Sequence, residues 1–300
     1  MKKSIIIIFL FIATTVSAQT DTVSNWTKEG KISVNANQNY FSNWSAGGES
    51  SYGVIGKLTF KADYKKDKNS WTNWLDMALG YSVIGDDDSK KTEDKIEYIT
   101  SYTRDLSKNI KFSIVGSFKS QFAKGYDYSN DTTIYTSKFL APAYIDLGPG
   151  IQYKPNDHVL VNYSPATARL IVVNDQGLAD KGAFGLEPAK TDTNGIVIDP
   201  AKKTKGMFGS KLIFVLNYDI AKNVNIASKL ELFSDYLDTP QNIDVDWQVL
   251  LGMKVNKWLN VDISTQMLYD DQVMITDKDG NTGPRIQFKQ LMMVGLSYNF

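Results

Sequence analysis

Hydrophobic and polar residues alternate along much of this chain, and the last sixteen residues show the pattern most clearly. From Arg285 to Phe300 most odd positions are polar, with Leu291 and Met293 as exceptions. The apolar side chains fall on even positions, namely Ile286, Phe288, Met292, Val294, Leu296, Tyr298 and Phe300. Because successive side chains of a strand point to opposite faces, this period predicts a strand with one apolar face.

The same two-residue period predicts eleven further strands. Pro142, Pro149 and Pro165 interrupt the pattern in two of them, because proline cannot donate to a strand ladder. The predicted strands are 31–40, 52–64, 75–83, 95–103, 110–122, 138–153, 159–173, 208–220, 224–236, 243–255, 259–269 and 285–300.

The connections between these strands alternate in length. They are short after even-numbered strands and long and polar after odd-numbered ones, the longest being Asn174–Lys205. This alternation is typical of outer-membrane barrels, and a sheet in lipid must close because lipid offers its edges no hydrogen bonds. We therefore predict an all-β fold, a closed antiparallel transmembrane β-barrel of about 12 strands. The aromatic end of the last strand resembles a closing strand, with Tyr298 and Phe300 as its assembly signal.

The N-terminus indicates export. A basic start, Met1-Lys2-Lys3, precedes an apolar run from Ile5 to Ala13 and the small residues Val16-Ser17-Ala18. This order is typical of a secretory signal peptide, and the run is shorter than the roughly 20 residues of a membrane-spanning helix. We predict a signal peptide at 1–18, a periplasmic lead at 19–30 and a barrel at 31–300. The expected location is the outer membrane of a Gram-negative cell, with both termini periplasmic.

Composition excludes several functions. The chain has no cysteine, which rules out disulfides, metal–thiolate sites and thiol catalysis. It carries 33 basic and 33 acidic residues, and loss of Lys2 and Lys3 leaves a net charge of about −2. Without a basic excess we expect no nucleic-acid partner. The expected partners are outer-membrane lipids and the barrel assembly machinery, with a small solute as a further candidate and no indication of a protein partner.

Several short motifs resemble a family of uncharacterised Gram-negative outer-membrane barrels, known as domain of unknown function 3078. The most specific is the Asn-Trp-x-x-Gly-Gly-Glu element at its first predicted loop. The motifs are Asn43–Glu49, Lys91–Lys95, Gln121-Phe122 with Gly125-Tyr126, Ser137–Ala143, Ser164-Pro165 and Asp244–Trp247. The resemblance implies an outer-membrane barrel and implies no reaction.

No residue pattern predicts catalysis, a metal or a cofactor. The single histidine, His158, falls in a short turn, which is the opposite end of a barrel from the outer rim where a Ser–His pair would act. Asp277–Asn281 begins like a calcium loop, but Thr282 and Phe288 occupy the positions that require Gly and Glu. We therefore expect an Asp-Gly hairpin turn there and no enzyme activity.

The polar faces of the strands predict a charged lumen. Its candidate lining comprises ten basic and seven acidic residues, which are Lys57, Lys61, Asp63, Asp76, Lys95, Glu97, Lys111, Lys119, Lys211, Lys229, Glu231, Asp244, Asp246, Lys254, Asp262, Arg285 and Lys289. Such a mixture permits two arrangements. The charges can pair across a filled interior, or they can line a narrow aqueous path with a slight preference for anions.

Two functions are consistent with this lumen. The first is a narrow passive channel or small-solute binding barrel gated by the loop Asn174–Lys205. The alternative is a structural or surface-interaction barrel that works through its external loops and transports nothing. For that alternative the candidate contacts lie in the first loop, where aromatic and glycine-rich residues cluster: Trp44, Gly47, Gly48 and Glu49.

Overall fold

The computed structural model describes residues 24–40, 50–128, 131–276 and 280–300, without side chains at 131–133. These residues form a closed barrel of twelve antiparallel strands. The strands are β1 (Trp26–Asn39), β2 (Ser51–Lys66), β3 (Asn69–Ile84), β4 (Lys90–Asp105), β5 (Ile110–Ser120), β6 (Ala143–Tyr153), β7 (Val159–Val172), β8 (Thr204–Ala221), β9 (Val224–Asp235), β10 (Asp244–Lys254), β11 (Leu259–Tyr269) and β12 (Gln287–Asn299). The predicted fold class is confirmed.

Each strand pairs with its neighbours in the chain, and β12 closes the barrel against β1. The closing register runs from Lys31 opposite Asn299 to Ala36 opposite Val294. Phe300 extends this ladder, because its amide donates to the Gly30 carbonyl at 2.9 Å and its carbonyl accepts from the Gly30 amide at 2.8 Å. Both edges of the sheet are thereby satisfied, as a barrel in lipid requires.

β3, β4 and β8 begin four to six residues earlier than predicted, at Asn69, Lys90 and Thr204, and β1, β6 and β7 also differ from their predicted bounds. β1 begins at Trp26, so part of the predicted lead is paired into the barrel. β6 begins at Ala143, because Lys138 and Ala141 exchange backbone hydrogen bonds in a turn just before it. β7 continues past Pro165 as a single strand, and the shift in its register with β6 and β8 lies next to this proline. The predicted signal peptide lies outside the described residues.

The outward faces of the strands are apolar and exposed. Val34, Leu147, Met292 and Leu296 have 56%, 58%, 65% and 63% of their surface exposed. Apolar area in water is unfavourable by roughly 25 cal/mol per Å², so an uncovered band of this kind belongs in lipid. The barrel is therefore a transmembrane one.

The two ends of the barrel differ. One end carries the short turns and the described termini, and we call it the short-turn end. The other, the long-loop end, carries a short helix, α1 (Gln176–Asp180), a 3-10 turn at Ala183–Gly185, and three small hairpins. The hairpins pair 125–127 with 131–137, 190–191 with 197–199 and 274–276 with 282–284. No helix within the described ranges has the length and apolar character needed to cross a membrane.

Candidate functional site: the barrel lumen

The lumen is divided into three zones along the barrel axis. At the long-loop end the connection 173–203 folds over the mouth, and we call it the cap. Below it lies a layer of paired charges, the charge belt, made of Glu97, Lys119, Asp146, Arg169, Lys211, Lys229, Glu231, Asp244 and Asp246. The remaining zone is a cavity that opens toward the short turns, the vestibule.

Glu231 is the centre of the charge belt. Its carboxylate, on the lumen face of β9, lies 2.9 Å from Lys119 Nζ, 2.8 Å from Lys211 Nζ and 3.2 Å from Lys229 Nζ. Lys229 also pairs with Glu97, whose side chain is only 1% exposed. Because each buried charge has an opposite charge beside it, the desolvation cost of this layer is offset by attraction.

Arg169 extends the belt across β6, β7 and β10. Its guanidinium donates to Asp146 Oδ1 at 2.9 Å and to Asp244 Oδ2 at 3.1 Å. Asp146 also accepts from Lys211 at 2.7 Å, which joins this group to Glu231. On its other side, Arg169 stacks 3.8 Å above the centre of the Phe233 ring, where the belt meets the cap. The belt residues lie on β4 to β10, so their paired charges fill that side of the lumen, and the wall formed by β11, β12 and β1 to β3 contributes none of them.

The cap is held by a small apolar cluster. Val173, Leu178 and Leu186 of the cap are buried, with 0%, 6% and 5% of their surface exposed. They pack against the lumen-facing side chains of Met207 and Phe233, and with Ile171, Ala141 and Ala179 they form one core. The cap is therefore folded into the barrel mouth, because its apolar residues find a buried surface only there.

Polar contacts fix the start of α1 to a neighbouring loop. Asp175 caps the helix by accepting from the Leu178 amide at 2.9 Å. It also accepts from the Tyr135 hydroxyl at 2.7 Å and pairs with Lys138. Burial alone raises the pKa of the Asp175 carboxyl, but these hydrogen bonds and the Lys138 charge outweigh it and hold the pKa well below its usual range. Lys205 adds a second anchor by donating to the Gly185 carbonyl at 3.1 Å.

The vestibule lies mainly in the short-turn half of the lumen, with a volume of about 910 Å³. Lys65, Lys154 and Asn217 line it beside the short turns, so it opens at that end. The belt residue Lys229 lines it as well, and so do Glu93 and Lys289, which lie near the long-loop ends of β4 and β12. The vestibule is therefore a polar cavity that passes beside the charge belt and reaches toward the long-loop end.

Most lysines in the vestibule wall have carboxylate partners. Lys61 lies 2.6 Å from Asp63, Lys289 lies 2.9 Å from Glu93, and Lys95 pairs with Asp76. Lys31, Lys57 and Lys65 differ, because none of the described residues places a hydrogen-bond acceptor or an ion-pair partner against their ammonium groups. Lys57 lies in the middle of β2, whereas Lys65 lies at its exposed short-turn end.

Sixteen of the seventeen candidate lumen residues lie on lumen-facing positions of barrel strands. The structure gathers Glu97, Lys119, Lys211, Lys229, Glu231, Asp244 and Asp246 into the charge belt. It places Lys57, Lys61, Asp63, Asp76, Lys95, Lys111, Asp262 and Lys289 around the vestibule. Lys254 ends β10 at the short-turn rim, exposed.

Arg285 is a correction. It precedes β12, is exposed, and donates to the Asn281 carbonyl at 3.4 Å in the last long loop. The two-residue period continues from β12 into this loop, although the pairing with β11 does not extend to it. The candidate loop contacts Trp44, Gly47, Gly48 and Glu49 lie outside the described residues. Tyr298 and Phe300 stack with ring centres 6.3 Å apart at the closing seam.

Sequence reasoning missed two belt residues, Asp146 and Arg169. Both lie on the strands that prolines interrupt, where the face of each side chain is hardest to assign. Asp146 does keep the expected alternation, between the outward-facing Ile145 and Leu147. Arg169 lies beyond Pro165, where the register shift moves the inward positions by one residue. The alternation pattern was therefore sufficient to place Asp146 in the lumen, whereas a bulge obscured it for Arg169.

Two further groups contain side chains of the kinds that bind ligands or catalyse reactions. His158 is exposed in a short turn and its Nδ1 lies 3.0 Å from the Asn217 carbonyl oxygen. At the long-loop end, Asp244, Asp270 and Asp271 bring carboxylate oxygens within 4.8 Å of one another. Asp244 pairs with Arg169, Asp270 accepts from the Gln272 amide at 2.9 Å and Asp271 accepts from Asn242 at 2.6 Å, so all three carboxylates already have donors. We assign neither group a ligand.

Solved structures similar to this chain include two outer-membrane barrels. One is the translocator domain of the autotransporter NalP from Neisseria meningitidis, with 11% identity, 91% of this chain and 88% of that chain covered, and a TM-score of 0.40. The other is the COG4313 outer-membrane channel from Pseudomonas putida F1, with 11% identity, 94% and 100% covered, and a TM-score of 0.40. No curated protein matches the chain.

A family model described as "Protein of unknown function (DUF3078)" matches residues 36–126, which run from β1 to just beyond β5. This span contains the motifs Asn43–Glu49, Lys91–Lys95 and Gln121-Phe122 with Gly125-Tyr126, whereas the motifs after Tyr126 lie beyond it. Residues 36–126 thus carry the DUF3078 signature, and the family resemblance that the sequence motifs indicated is confirmed.

Proposed function

We propose that the protein is an outer-membrane barrel of a Gram-negative cell, with its short turns and both termini in the periplasm. The exposed apolar band and the closed seam between β1 and β12 support this location, since only lipid can cover such a surface. On this proposal the lipids of that membrane contact the outward faces, and the barrel assembly machinery inserts the chain. The long loops then face the outside of the cell.

Within that membrane the barrel acts as a narrow small-solute channel or solute-binding barrel that is closed at rest. The observation that carries this is the vestibule, a charged cavity of about 910 Å³ that opens to the short-turn side, while the cap folds over the long-loop mouth. An interior of this size falls in the range of about 300–1,000 Å³ that small-molecule sites occupy. The barrel catalyses no reaction on this proposal.

Recording from planar bilayers tests the channel function. The wild-type barrel is compared with a variant in which a short Gly-Ser linker replaces 176–201, which removes the cap and leaves every barrel strand intact. We expect rare, small steps from the wild type and more frequent steps from the variant, because the cap no longer covers the long-loop mouth. Heat-modifiable migration on gels shows that both are folded. Absence of steps from both folded proteins at every voltage contradicts channel function.

A surface-interaction barrel is the second candidate, and one feature favours it. The hairpin that pairs 190–191 with 197–199 projects from the cap and exposes Ile196, Val197 and Ile198, at 63%, 44% and 67% of their surface. Replacing these three residues by serine tests it, with cell-surface attachment as the readout. Unchanged attachment with intact folding counts against this candidate.

A further inference from the structure

The vestibule has an apolar wall that closure of the barrel does not require. The lumen-facing positions of β7 to β10 near the short-turn end carry Leu160, Ile213, Val215, Ala227 and Leu250. Val215 lies directly opposite Leu160, and Ala227 lies directly opposite Leu250, so these side chains form two apolar pairs. Across β8 and β9 the pairs are diagonal neighbours, because Val215 lies opposite Lys229 and Ala227 lies opposite Asn217. The neighbouring belt residues on the same strands are charged, which makes the apolar patch a local feature.

This wall faces the open cavity. Leu250 points into the lumen yet keeps 37% of its surface exposed. Apolar surface against water is unfavourable by roughly 25 cal/mol per Å², and a serine or threonine at these positions would avoid that cost. A wall of this kind is suited to the apolar part of a ligand.

Lys57 lies on the other side of the vestibule. It is on β2, and β2 and β8 are six positions apart in the ring of twelve strands, so Lys57 faces the wall that contains Ile213 and Val215. Its cross-strand neighbours, Ser33 and Ala78, are small and leave the ammonium accessible. Glu93 and Asp262 are near Lys57, but no carboxylate of the described residues lies within ion-pair distance of its ammonium, so Lys57 can pair with an anion that enters the cavity.

The overall charge of the vestibule favours the same kind of ligand. Apart from the belt residue Lys229, its lining holds eight basic and five acidic side chains. The basic members are Lys31, Lys57, Lys61, Lys65, Lys95, Lys111, Lys154 and Lys289, and the acidic members are Glu29, Asp63, Asp76, Glu93 and Asp262. An excess of one sign in a low-dielectric cleft raises the local concentration of ligands with the opposite sign.

We propose that the vestibule binds an amphipathic anion that enters from the short-turn end. Its carboxylate or phosphate head pairs with Lys57, and its aliphatic or aromatic body lies on the wall formed by β7 to β10. This deepens the proposed function, because it names the class of solute that the barrel holds.

Calorimetric titration of the barrel in amphipol tests the proposal. The probes are octanoate and octyl phosphate, with acetate as a head without a body and 1-hexanol as a body without a charge. We expect both octyl anions to bind more tightly than acetate or hexanol. The relative affinities of octanoate and octyl phosphate identify the preferred head group, and tight binding of either one supports the proposal. Octyl anions that bind no more tightly than acetate overturn it.

Substitutions separate the contribution of Lys57 to binding from that of the apolar wall. Lys57→Gln should weaken octanoate binding roughly tenfold to a hundredfold and leave hexanol unchanged, because one charge-assisted contact is lost. Lys108→Gln makes the same charge change in an exposed short turn and should leave all probes unchanged. A double variant, Val215→Ser with Leu250→Ser, should weaken octanoate and leave acetate unchanged. Equal octanoate affinity in wild type and Lys57→Gln contradicts the assignment of the head group.

The bilayer recordings separate this proposal from channel function. Tight octanoate binding with no conductance from either protein would leave a binding barrel and remove the channel. Conductance steps without preference for octyl anions would leave the channel and remove the proposed ligand. Heat-modifiable migration again confirms that each variant is folded before it is titrated.

Discussion

The two halves of the lumen contain the same residue types in different surroundings. In the long-loop half, each basic belt residue contacts at least two carboxylates, and Lys211 is 4% exposed between Asp146 and Glu231. In the short-turn half, the lysines line an open cavity, and Lys31, Lys57 and Lys65 have no ion-pair partner among the described residues. A lysine between two buried carboxylates is held in place, whereas an unpaired lysine in a cavity remains available to a solute. Pairing, rather than the number of charges, therefore distinguishes the filled half from the open half.

The largest expected difference is in the free energy of unfolding, when one lysine in each half is replaced by methionine. Lys211→Met leaves Asp146 and Glu231 without their shared cation, and breaking a buried pair in this way costs about 3–5 kcal/mol of unfolding free energy. Lys57→Met breaks no pair and should cost less than about 1 kcal/mol. Urea unfolding from lipid vesicles, followed by tryptophan fluorescence, measures both.

The two variants make the same chemical change, so each serves as the control for the other. Equal destabilisation would mean that pairing does not distinguish the two halves. A small effect at Lys211 alone would mean that the belt relaxes or admits water once one cation is removed, and that its ion pairs are not held rigidly.

The second difference concerns the cap, which only the long-loop half possesses. Leu178→Ala removes a buried side chain from the apolar cluster and should destabilise the cap by about 2–3 kcal/mol. Because the cap lies outside the strand ladder, we expect faster proteolysis within 176–201 while the barrel stays folded. Ile198→Ala, in the exposed hairpin, is the matched control and should leave the cleavage rate unchanged. Loss of the whole barrel in Leu178→Ala would show that the cap is part of the global folding unit.

The strands and their closure were predictable because alternation is a local property. In each strand of about ten residues, the alternation of apolar and polar side chains indicates which face contacts lipid. Twelve such segments, joined by connections of alternating length, imply a barrel. The pairing inside the lumen was not predictable from the same pattern. Lys119 and Glu231 lie 112 positions apart in sequence, and only the tilt and register of the closed barrel bring them to one level.

The cap and the apolar wall escaped prediction for different reasons. Leu178 and Leu186 stand in a long polar connection with no period, and nothing local indicates that it folds inward. Ile213 and Val215 are inward residues of β8, whose outward residues are apolar too. The alternation pattern therefore identifies the lipid-facing side of this strand and does not indicate that its lumen-facing side is partly apolar.

The smallest expected effect is a pH response confined to the long-loop half. The pKa of Asp175 is held low by its donors, so its contribution to the cap is complete above the unfolded value of about 3.9 and is lost as pH falls through the folded value. A spin label on Lys181→Cys, next to α1 in a chain without other cysteines, should gain mobility on acidification below about pH 4. Asp175→Asn should give high mobility of the spin label already at neutral pH. Asp199→Asn, which removes an exposed ion pair with Lys190, should behave like wild type.

Vestibule binding depends on Lys57, which stays charged under these acidic conditions. The affinity for ionised octanoate should therefore stay constant over the pH range in which the label gains mobility. If affinity and mobility changed together, the cap and the vestibule would be coupled, and the two halves of the lumen would not be independent.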